Sequence, residues 1–182
     1  DNEENGEINY AFEFLKFSHS FDGNRHNLNA NLHFDKLKID VASSLLNSET
    51  TIEENSFLRL YSVAKYSFNK SWVGAKVSAE DNKRTNITTQ DLSTLSQKFS
   101  EYEAFFGIGD STKVFVEVGV NIRANDSVKN NALERVSNAQ TYFINSQLIQ
   151  NKNTRLSLFV NYRTVENIEF EDTKSLNSRL LY

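Results

Sequence analysis

Three histidines, two serines and an aspartate lie in one polar segment, FSHSFDGNRHNLNANLHF. These residue types are suited to nucleophilic or metal chemistry, and the candidates are Ser18, His19, Ser20, Asp22, His26 and His33. A serine hydrolase needs a base within hydrogen-bond reach of an activated hydroxyl, together with a group that orients the base. A zinc site needs several His, Cys or carboxylate ligands around one point.

The spacing of these residues argues against both chemistries. Adjacent residues of a strand point to opposite sides, so His19 and Ser20 do not meet there. His26 and His33 are seven residues apart, which also places them on opposite sides, and the chain has no cysteine to complete a metal site. We therefore interpret the segment as an exposed polar loop with DGN as its turn.

Glu101 and Glu103 are the other candidate pair, because they share one face of a strand as acid and base catalysts sometimes do. The competing interpretation is that both are solvated charges that face Arg or Lys across a strand pair. Residues 1–182 contain no glycine-rich phosphate loop. The sequence thus predicts no catalytic, cofactor-binding or metal-binding residue, no cofactor, and a protein that is not an enzyme.

Composition restricts the partners and the class of fold. The net charge of −4 and the absence of any basic run argue against nucleic acid, which is bound through clustered Lys and Arg. A length of 182 residues fits a single region, with a flexible acidic start over residues 1–6. The start, DNEENGEINY, has neither Met nor an apolar signal segment, which predicts a processed chain or part of a larger β-protein.

Strict alternation of apolar and polar residues is the main structural signal. In KVFVEVGVNIR, every second residue from Val114 to Ile122 is aliphatic. In NLNANLHFDKLKIDVAS, the apolar residues change from even to odd numbers after Phe34, as a tight hairpin requires. The same change follows Phe68, and the two turn sequences, FDK and FNK, are nearly identical.

The alternation predicts an all-β, antiparallel, up-and-down meander of about ten long strands, either barrel-like or a large folded sheet. Hairpins are expected at about 27–46, 57–80, 98–123 and 138–164, with short turns at one edge and long polar loops at the other. The predicted strands are 7–18, 27–34, 37–46, 57–68, 71–80, 98–108, 113–123, 138–149, 154–164 and 175–182. A short helix is also predicted within TTQDLSTLSQKF, residues 88–99.

The two faces of this sheet differ in polarity. One face collects apolar residues, among them Leu58, Leu60, Val73, Val77, Tyr102, Phe106, Val114, Val116, Val118, Val120, Tyr142, Ile144, Leu156, Leu158 and Val160. The other carries the charges, among them Arg59, Lys76, Glu101, Glu103, Glu117, Arg155 and Arg163. The strands are closer to the 9–11 residues that cross a bilayer than to the usual 5–6 of globular proteins.

Three structures satisfy such a sheet. A transmembrane barrel turns the apolar face to lipid, a soluble sandwich folds it inward, and an open groove keeps it for a lipid or a partner strand. Phe34 and Phe68 at the short-turn edge, with Tyr102, Tyr142 and Tyr162 near the other edge, are typical of two interfacial girdles. Aromatic residues also occur at the ends of soluble sheets.

Three segments resemble very large β-rich cell-envelope proteins of Bacteroidota: KVFVEVGVNIRANDSVKNNALERV, TYFINSQLIQNKNTRLSLFVNYRT and KSLNSRLLY. Within that group the chain resembles the plug component of the type nine secretion translocon, and the resemblance covers roughly residues 25–182. It implies a stiff sheet that occludes an outer-membrane pore. No motif allows a functional residue to be carried over. The last segment also looks like the closing strand of outer-membrane barrels, which usually ends in an aromatic residue.

Two functions are therefore expected for a cell-envelope protein of the outer membrane or its periplasmic face. The first is a non-catalytic plug or scaffold, whose apolar face is internal and whose partner is an outer-membrane translocon or another envelope protein. The alternative is a transmembrane barrel that acts as pore, adhesin or transporter portion, with lipid on its apolar face. In that alternative the seven charged residues named above line the interior.

Overall fold

The computed structural model describes residues 5–50, 52–86, 94–110, 113–129, 132–150, 154–168 and 170–182. The described residues form eleven antiparallel strands in one sheet, in chain order from first to last. They are β1 (Asn5–Ala11), β2 (Leu15–Asp22), β3 (Arg25–Phe34), β4 (Leu37–Glu49), β5 (Glu53–Phe68), β6 (Ser71–Asn86), β7 (Thr94–Gly109), β8 (Phe115–Lys129), β9 (Ala132–Gln150), β10 (Arg155–Asn167) and β11 (Thr173–Leu181). The predicted all-β meander is confirmed.

The strand count differs from the prediction at the beginning of the chain. The segment predicted as one strand, 7–18, contains the end of β1, a turn, and the start of β2. Phe12 donates its backbone N–H to the carbonyl of Leu15 and so closes that turn. Of the predicted flexible start, Asn5 and Gly6 belong to β1, whereas residues 1–4 lie outside the described part.

Two other predicted elements also differ. The helix predicted over 88–99 is wrong for its second half, because residues 95–99 belong to β7 and pair with β6 and β8 on either side. Pairing along two neighbours outweighs a weak local helix preference; residues 88–93 lie outside the described part. The polar loop proposed around the histidines is instead the hairpin of β2 and β3, with Gly23 in its turn at a φ of 52°.

Several central strands are longer than predicted. β5 and β6 each have 16 residues and β9 has 19. Their ladders continue through polar residues such as Asp81–Asn86, where the apolar alternation has already stopped. The long polar loop predicted between β4 and β5 is therefore wrong, since β4 ends at Glu49 and β5 begins at Glu53. No helix among the described residues is long and apolar enough to cross a membrane.

The described residues form a single sheet with almost no hydrophobic core. Trp72 and Ala139 are the hydrophobic residues buried within it. The accessible surface is 13208 Å², compared with about 9000 Å² for a globular monomer of this mass. A sheet of this size that lacks a core of its own must cover its apolar face with something else.

The two edges of the sheet remain unpaired in the described structure. The strand order ends at β1 on one side and at β11 on the other, without a ladder between them. Because eleven antiparallel strands are an odd number, β1 and β11 run in the same direction. The sequence had predicted ten strands, and an even number allows antiparallel closure.

Asn69 marks one of the tight turns and provides a test of the hairpin register. It has a φ of 53°, and Asp35 occupies the equivalent place in the FDK turn with a φ of 41°. Asn and Gly tolerate this conformation, whereas a β-branched residue is strained in it. We expect Asn69→Val to lower the free energy of unfolding by about 1–2 kcal/mol, and Asn69→Gly to leave it unchanged or raise it.

The measurement for this prediction is urea unfolding of the chain, monitored by fluorescence. Lys70→Val is the matched control, because Lys70 is not among the described residues with positive φ. An equal loss of stability from the two valine variants would contradict the assignment of strain to Asn69.

Candidate functional site

On the central strands β5–β9, the apolar face of the sheet is the more exposed one. The relation is reversed on β3 and β10, where Leu32 and Leu158 are half-buried and Asn31 and Arg163 are exposed. We call the apolar face the outer apolar band, and its large side chains are 38–71% exposed. Its members include Leu58, Leu60, Val73, Val77, Tyr102, Phe106, Val116, Val118, Ile122, Tyr142, Ile144, Tyr162, Leu176 and Leu180. In a single layer, the face with the greater exposure is the convex one. The predicted plug, with its apolar face internal, therefore lacks support in this chain, because the same residues point outward.

A row of charged side chains limits the band toward the long loops. Asp81, Lys98, Asp126 and Arg135 lie directly opposite one another across β6, β7, β8 and β9. Lys98 lies 3.2 Å from Asp81, and Arg135 pairs with Asp126. We call this row the charged belt.

On β5, the outward residues from Phe68 to Leu58 cover about 33 Å of strand, which a barrel tilt reduces to about 25 Å.

That height equals the apolar band of outer-membrane barrels, which is about 25 Å. Aromatic residues lie at the short-turn side of the band, where Phe14 stacks on Phe34 at 5.0 Å and Tyr66 stacks on Phe68 at 6.1 Å. The tyrosines predicted at the opposite limit of the band lie closer to its middle. Tyr102 is four residues from Lys98, because β7 continues further than predicted.

We call the polar face of the sheet the inner polar wall, and on β5–β9 it is the less exposed face. Glu101 and Glu103 have 17% and 20% exposed side chains. The Lys76 ammonium lies 3.4 Å from Glu101 and 3.6 Å from Glu103. The Asn121 amide donates to both carboxylates, at 2.8 and 3.1 Å. This shared network offsets part of the charge of the pair and holds it in place. Lys76 faces the pair across β6 and β7, as the structural interpretation predicted, but the two carboxylates are mostly buried rather than solvated.

Trp72 connects three strands on the same wall. Its indole N–H donates to Glu117 over 2.7 Å, and the Lys65 ammonium lies 4.4 Å from the centre of its ring. A cation above an indole face is attracted by the ring's electron density, most strongly where water is excluded. The Trp72 side chain is 4% exposed, so these contacts form a compact polar cluster rather than a solvated surface.

Three glycines allow the rings of this wall to lie flat. Gly107 lies beside Trp72, Gly74 beside Phe105, and Gly119 beside Phe143. In each case an added Cβ would overlap the neighbouring ring. Aromatic side chains that cover a neighbouring glycine are a recognised way to strengthen and curve a sheet. The sequence did not predict these contacts, although the glycines within strands were a signal for close backbone approach.

The remaining predicted lining residues occupy the same wall but differ in their partners. Arg59 lies 4.0 Å from Glu80. Arg155 and Arg163 have no ion pair or hydrogen bond within the described part of the chain. Toward the long loops, beyond the charged belt, Arg84 donates to Glu53, and this hydrogen bond lowers the pKa of Glu53 below its ordinary value.

The histidines do not converge on a catalytic or metal site. His19 and His26 lie on the outer face of neighbouring strands, where their rings stack with centroids 5.7 Å apart. His33 is on the opposite face of β3, as its odd number predicted. Among the described residues, no group of three or more His, Cys, Asp or Glu side chains is placed to hold a metal ion.

Comparisons with known proteins yield a structural likeness but no family. No protein-family model and no curated protein matches the chain, so the resemblance to the type nine plug has no support from them. Among solved structures, the chain is similar to the translocator domain of autotransporter NalP from Neisseria meningitidis. The identity is 11%, and the TM-score is 0.44 over 97% of this chain and 70% of that one. A likeness of this degree decides neither fold nor function.

Proposed function

We propose that the chain forms part of the wall of a β-barrel in an outer membrane, with the outer apolar band on lipid and the inner polar wall toward a water-filled interior. The observation that supports this proposal most directly is the difference in polarity and exposure between the two faces. On the central strands β5–β9, the apolar side chains are the more exposed ones, and the polar side chains, such as Glu101 and Lys76, are the half-buried ones. A soluble sheet protein has the opposite arrangement.

The backbone supports the same proposal. Hydrocarbon tolerates only structures whose backbone groups are paired internally, which for strands means a ladder that continues around a barrel. Between the two edge strands, each of β2 to β10 is paired on both sides. A pore or transporter portion is the specific role that we propose. The plug of a type nine translocon stays a prediction from the resemblance.

The same proposal includes the absence of catalysis. Glu101 and Glu103 are already held by Lys76 and Asn121, which leaves neither carboxylate poised as acid or base. We further propose lipid and envelope proteins as the partners of the chain. Its net charge of −4 supports the exclusion of nucleic acid as a partner.

Neighbouring residues on opposite faces provide the experiment. Ile144 is outward and 43% exposed, whereas Asn145 is inward and pairs across with Glu117. Because the chain has no cysteine, Ile144→Cys and Asn145→Cys each accept a single environment-sensitive label. In vesicles with brominated phospholipids, we expect strong quenching of the label at position 144 and weak quenching at position 145.

The same two variants also report on water. A membrane-impermeant thiol reagent is expected to react with position 145 faster than with position 144, because the inner wall faces an aqueous space. Equal quenching at both positions, or a chain that stays soluble and monomeric without detergent, would refute the placement of the band on lipid.

A further inference from the structure

Charge is distributed unevenly along the inner polar wall. Because successive residues of a strand alternate between the two faces, the inward charges between the charged belt and the short turns can be counted strand by strand. On β1–β4 the inward cations are Lys16 and Lys38, and the inward carboxylates are Glu7 and Asp40. These charges cancel, so the first four strands add nothing to the net charge of the wall.

The central strands β5–β8 are balanced in the same way. Their inward cations are Arg59, Lys65, Lys76 and Arg123. Their inward carboxylates are Glu80, Glu101, Glu103 and Glu117. Four positive and four negative charges leave this part of the wall neutral as well.

The strands β10 and β11 differ, because they carry inward arginines and no inward carboxylate. Arg155, Arg163 and Arg179 alternate with apolar residues of the outer band such as Leu158. On the neighbouring strand β9, the inward positions within Ser137–Gln147 also lack Asp and Glu. The excess positive charge of the described wall therefore lies on β10 and β11, although the whole chain has a net charge of −4.

Two of these arginines flank a pair of amides. Phe159, Asn161 and Arg163 are consecutive inward residues of β10, and Arg179 lies opposite Phe159. Asn177 lies opposite Asn161 and donates its side-chain amide N–H to the Asn161 side-chain oxygen over 3.2 Å. We call Arg163, Arg179, Asn161 and Asn177 the arginine patch.

The arginine patch presents hydrogen-bond donors that a solute can reach. Arg163 and Arg179 are both exposed, and neither has an ion pair or hydrogen bond within the described part of the chain. A guanidinium has five N–H donors and no acceptor, and its planar fork matches two oxygens of a carboxylate or a phosphate. The partner that fits these donors is an oxyanion, because it offers acceptors and negative charge together.

We propose that the arginine patch binds oxyanions, namely the phosphate, sulfate or carboxylate groups of dissolved solutes, and that it makes this sector of the wall favour anions over cations. The location of the patch in a water-filled interior rests on the proposed function. The binding itself requires only the patch and access from water.

Quenching of a fluorescent label measures the charge around the patch. Ser175 is exposed and lies opposite Arg163, whereas Asn29 is exposed and inward on β3, where the wall is neutral. Ser175→Cys and Asn29→Cys each accept one uncharged label. Iodide and caesium are the anionic and cationic quenchers, and neutral acrylamide corrects for accessibility. We expect an iodide-to-acrylamide ratio about threefold higher at position 175 than at position 29, as a potential of about one kT produces, and a lower caesium ratio.

Two sets of variants connect this excess to the arginines. Arg163→Gln together with Arg179→Gln should lower the iodide ratio at position 175 to the value at position 29, whereas the two Lys replacements should keep it. At equal ionic strength, inorganic phosphate should suppress the iodide excess more strongly than chloride does. This advantage of phosphate should shrink in the Lys variant, because an ammonium lacks the planar fork.

Three results would overturn the proposal. Equal iodide ratios at positions 175 and 29, or an excess that survives the loss of both arginines, would refute the positive charge of the patch. Equal suppression by phosphate and chloride would refute the binding of oxyanions. Because the quenching can be measured in vesicles, in micelles or in buffer, these results differ from failure of the proposed function, which the labels at positions 144 and 145 report.

Discussion

Ile144→Arg is expected to destabilise the lipid-inserted chain by about 2–4 kcal/mol, which is the cost of a guanidinium on the lipid face near the middle of a barrel wall. Ile144 lies in register with Val118 on one side and Val160 on the other, within the outer apolar band. A charge at this depth has neither water nor a partner on the outer face. The measurement is the unfolding free energy in phospholipid vesicles, obtained from urea titration of intrinsic fluorescence.

Two matched variants separate the effect of lipid from the effect of arginine itself. Asn145→Arg places the same side chain on the inner polar wall, where it faces Glu117 across the ladder, and should change stability by less than about 1 kcal/mol. Ser100→Arg lies on the outer face next to the charged belt and should cost about 0–1 kcal/mol. A larger loss from Asn145→Arg than from Ile144→Arg would reverse our assignment of the faces.

The faces themselves could be predicted from the sequence because strand side chains alternate strictly. Once Val116, Val118 and Ile122 were recognised as one series, Glu117 and Asn121 had to lie on the opposite side. Hairpins were predictable where a short polar break separated series of different parity, as at Asp35 and Asn69. The assignment of charged residues to one wall followed from the same rule.

The turn after β1 was missed because its signal is weak. The series changes from Ile8 and Tyr10 to Leu15 and Phe17, but the break between them, FEF, is mostly aromatic. Phe12 and Phe14 read as part of a continuous strand, and neither Gly, Asn nor Pro marks a turn there. One missed turn changed the count from eleven to ten, and with it the expected direction of the last strand relative to the first.

The direction in which the sheet curves could not be predicted from the sequence, for a different reason. Alternation shows that two faces differ, but it does not show which one is concave. That choice depends on contacts between distant residues, such as the hydrogen bond from Trp72 to Glu117 across 45 positions. It also depends on rings that lie over glycines of the neighbouring strand, which no local pattern reports.

Gly107→Val is the substitution expected to damage the inner polar wall most. A Cβ at position 107 would overlap the Trp72 ring. That ring is held in place by its hydrogen bond to Glu117 and by the Lys65 ammonium above its face. Because Trp72 is 4% exposed and bonded, the ring has little room to move away. We expect a loss of about 3 kcal/mol in unfolding free energy, at the upper end of what overpacking costs.

The single tryptophan of the chain makes this prediction measurable even if the variant folds poorly. Displacement of Trp72 should shift its emission to longer wavelength in the milder Gly107→Ala variant as well. Ala104→Val is the matched control on β7, since position 104 points outward and has space in lipid. Removing the ring should relieve the overlap. The double variant Gly107→Val, Trp72→Ala should therefore lose less unfolding free energy than the sum of the losses of the two single variants. Simple additivity of the two losses would show that Gly107 is required for a reason other than the close approach of Trp72.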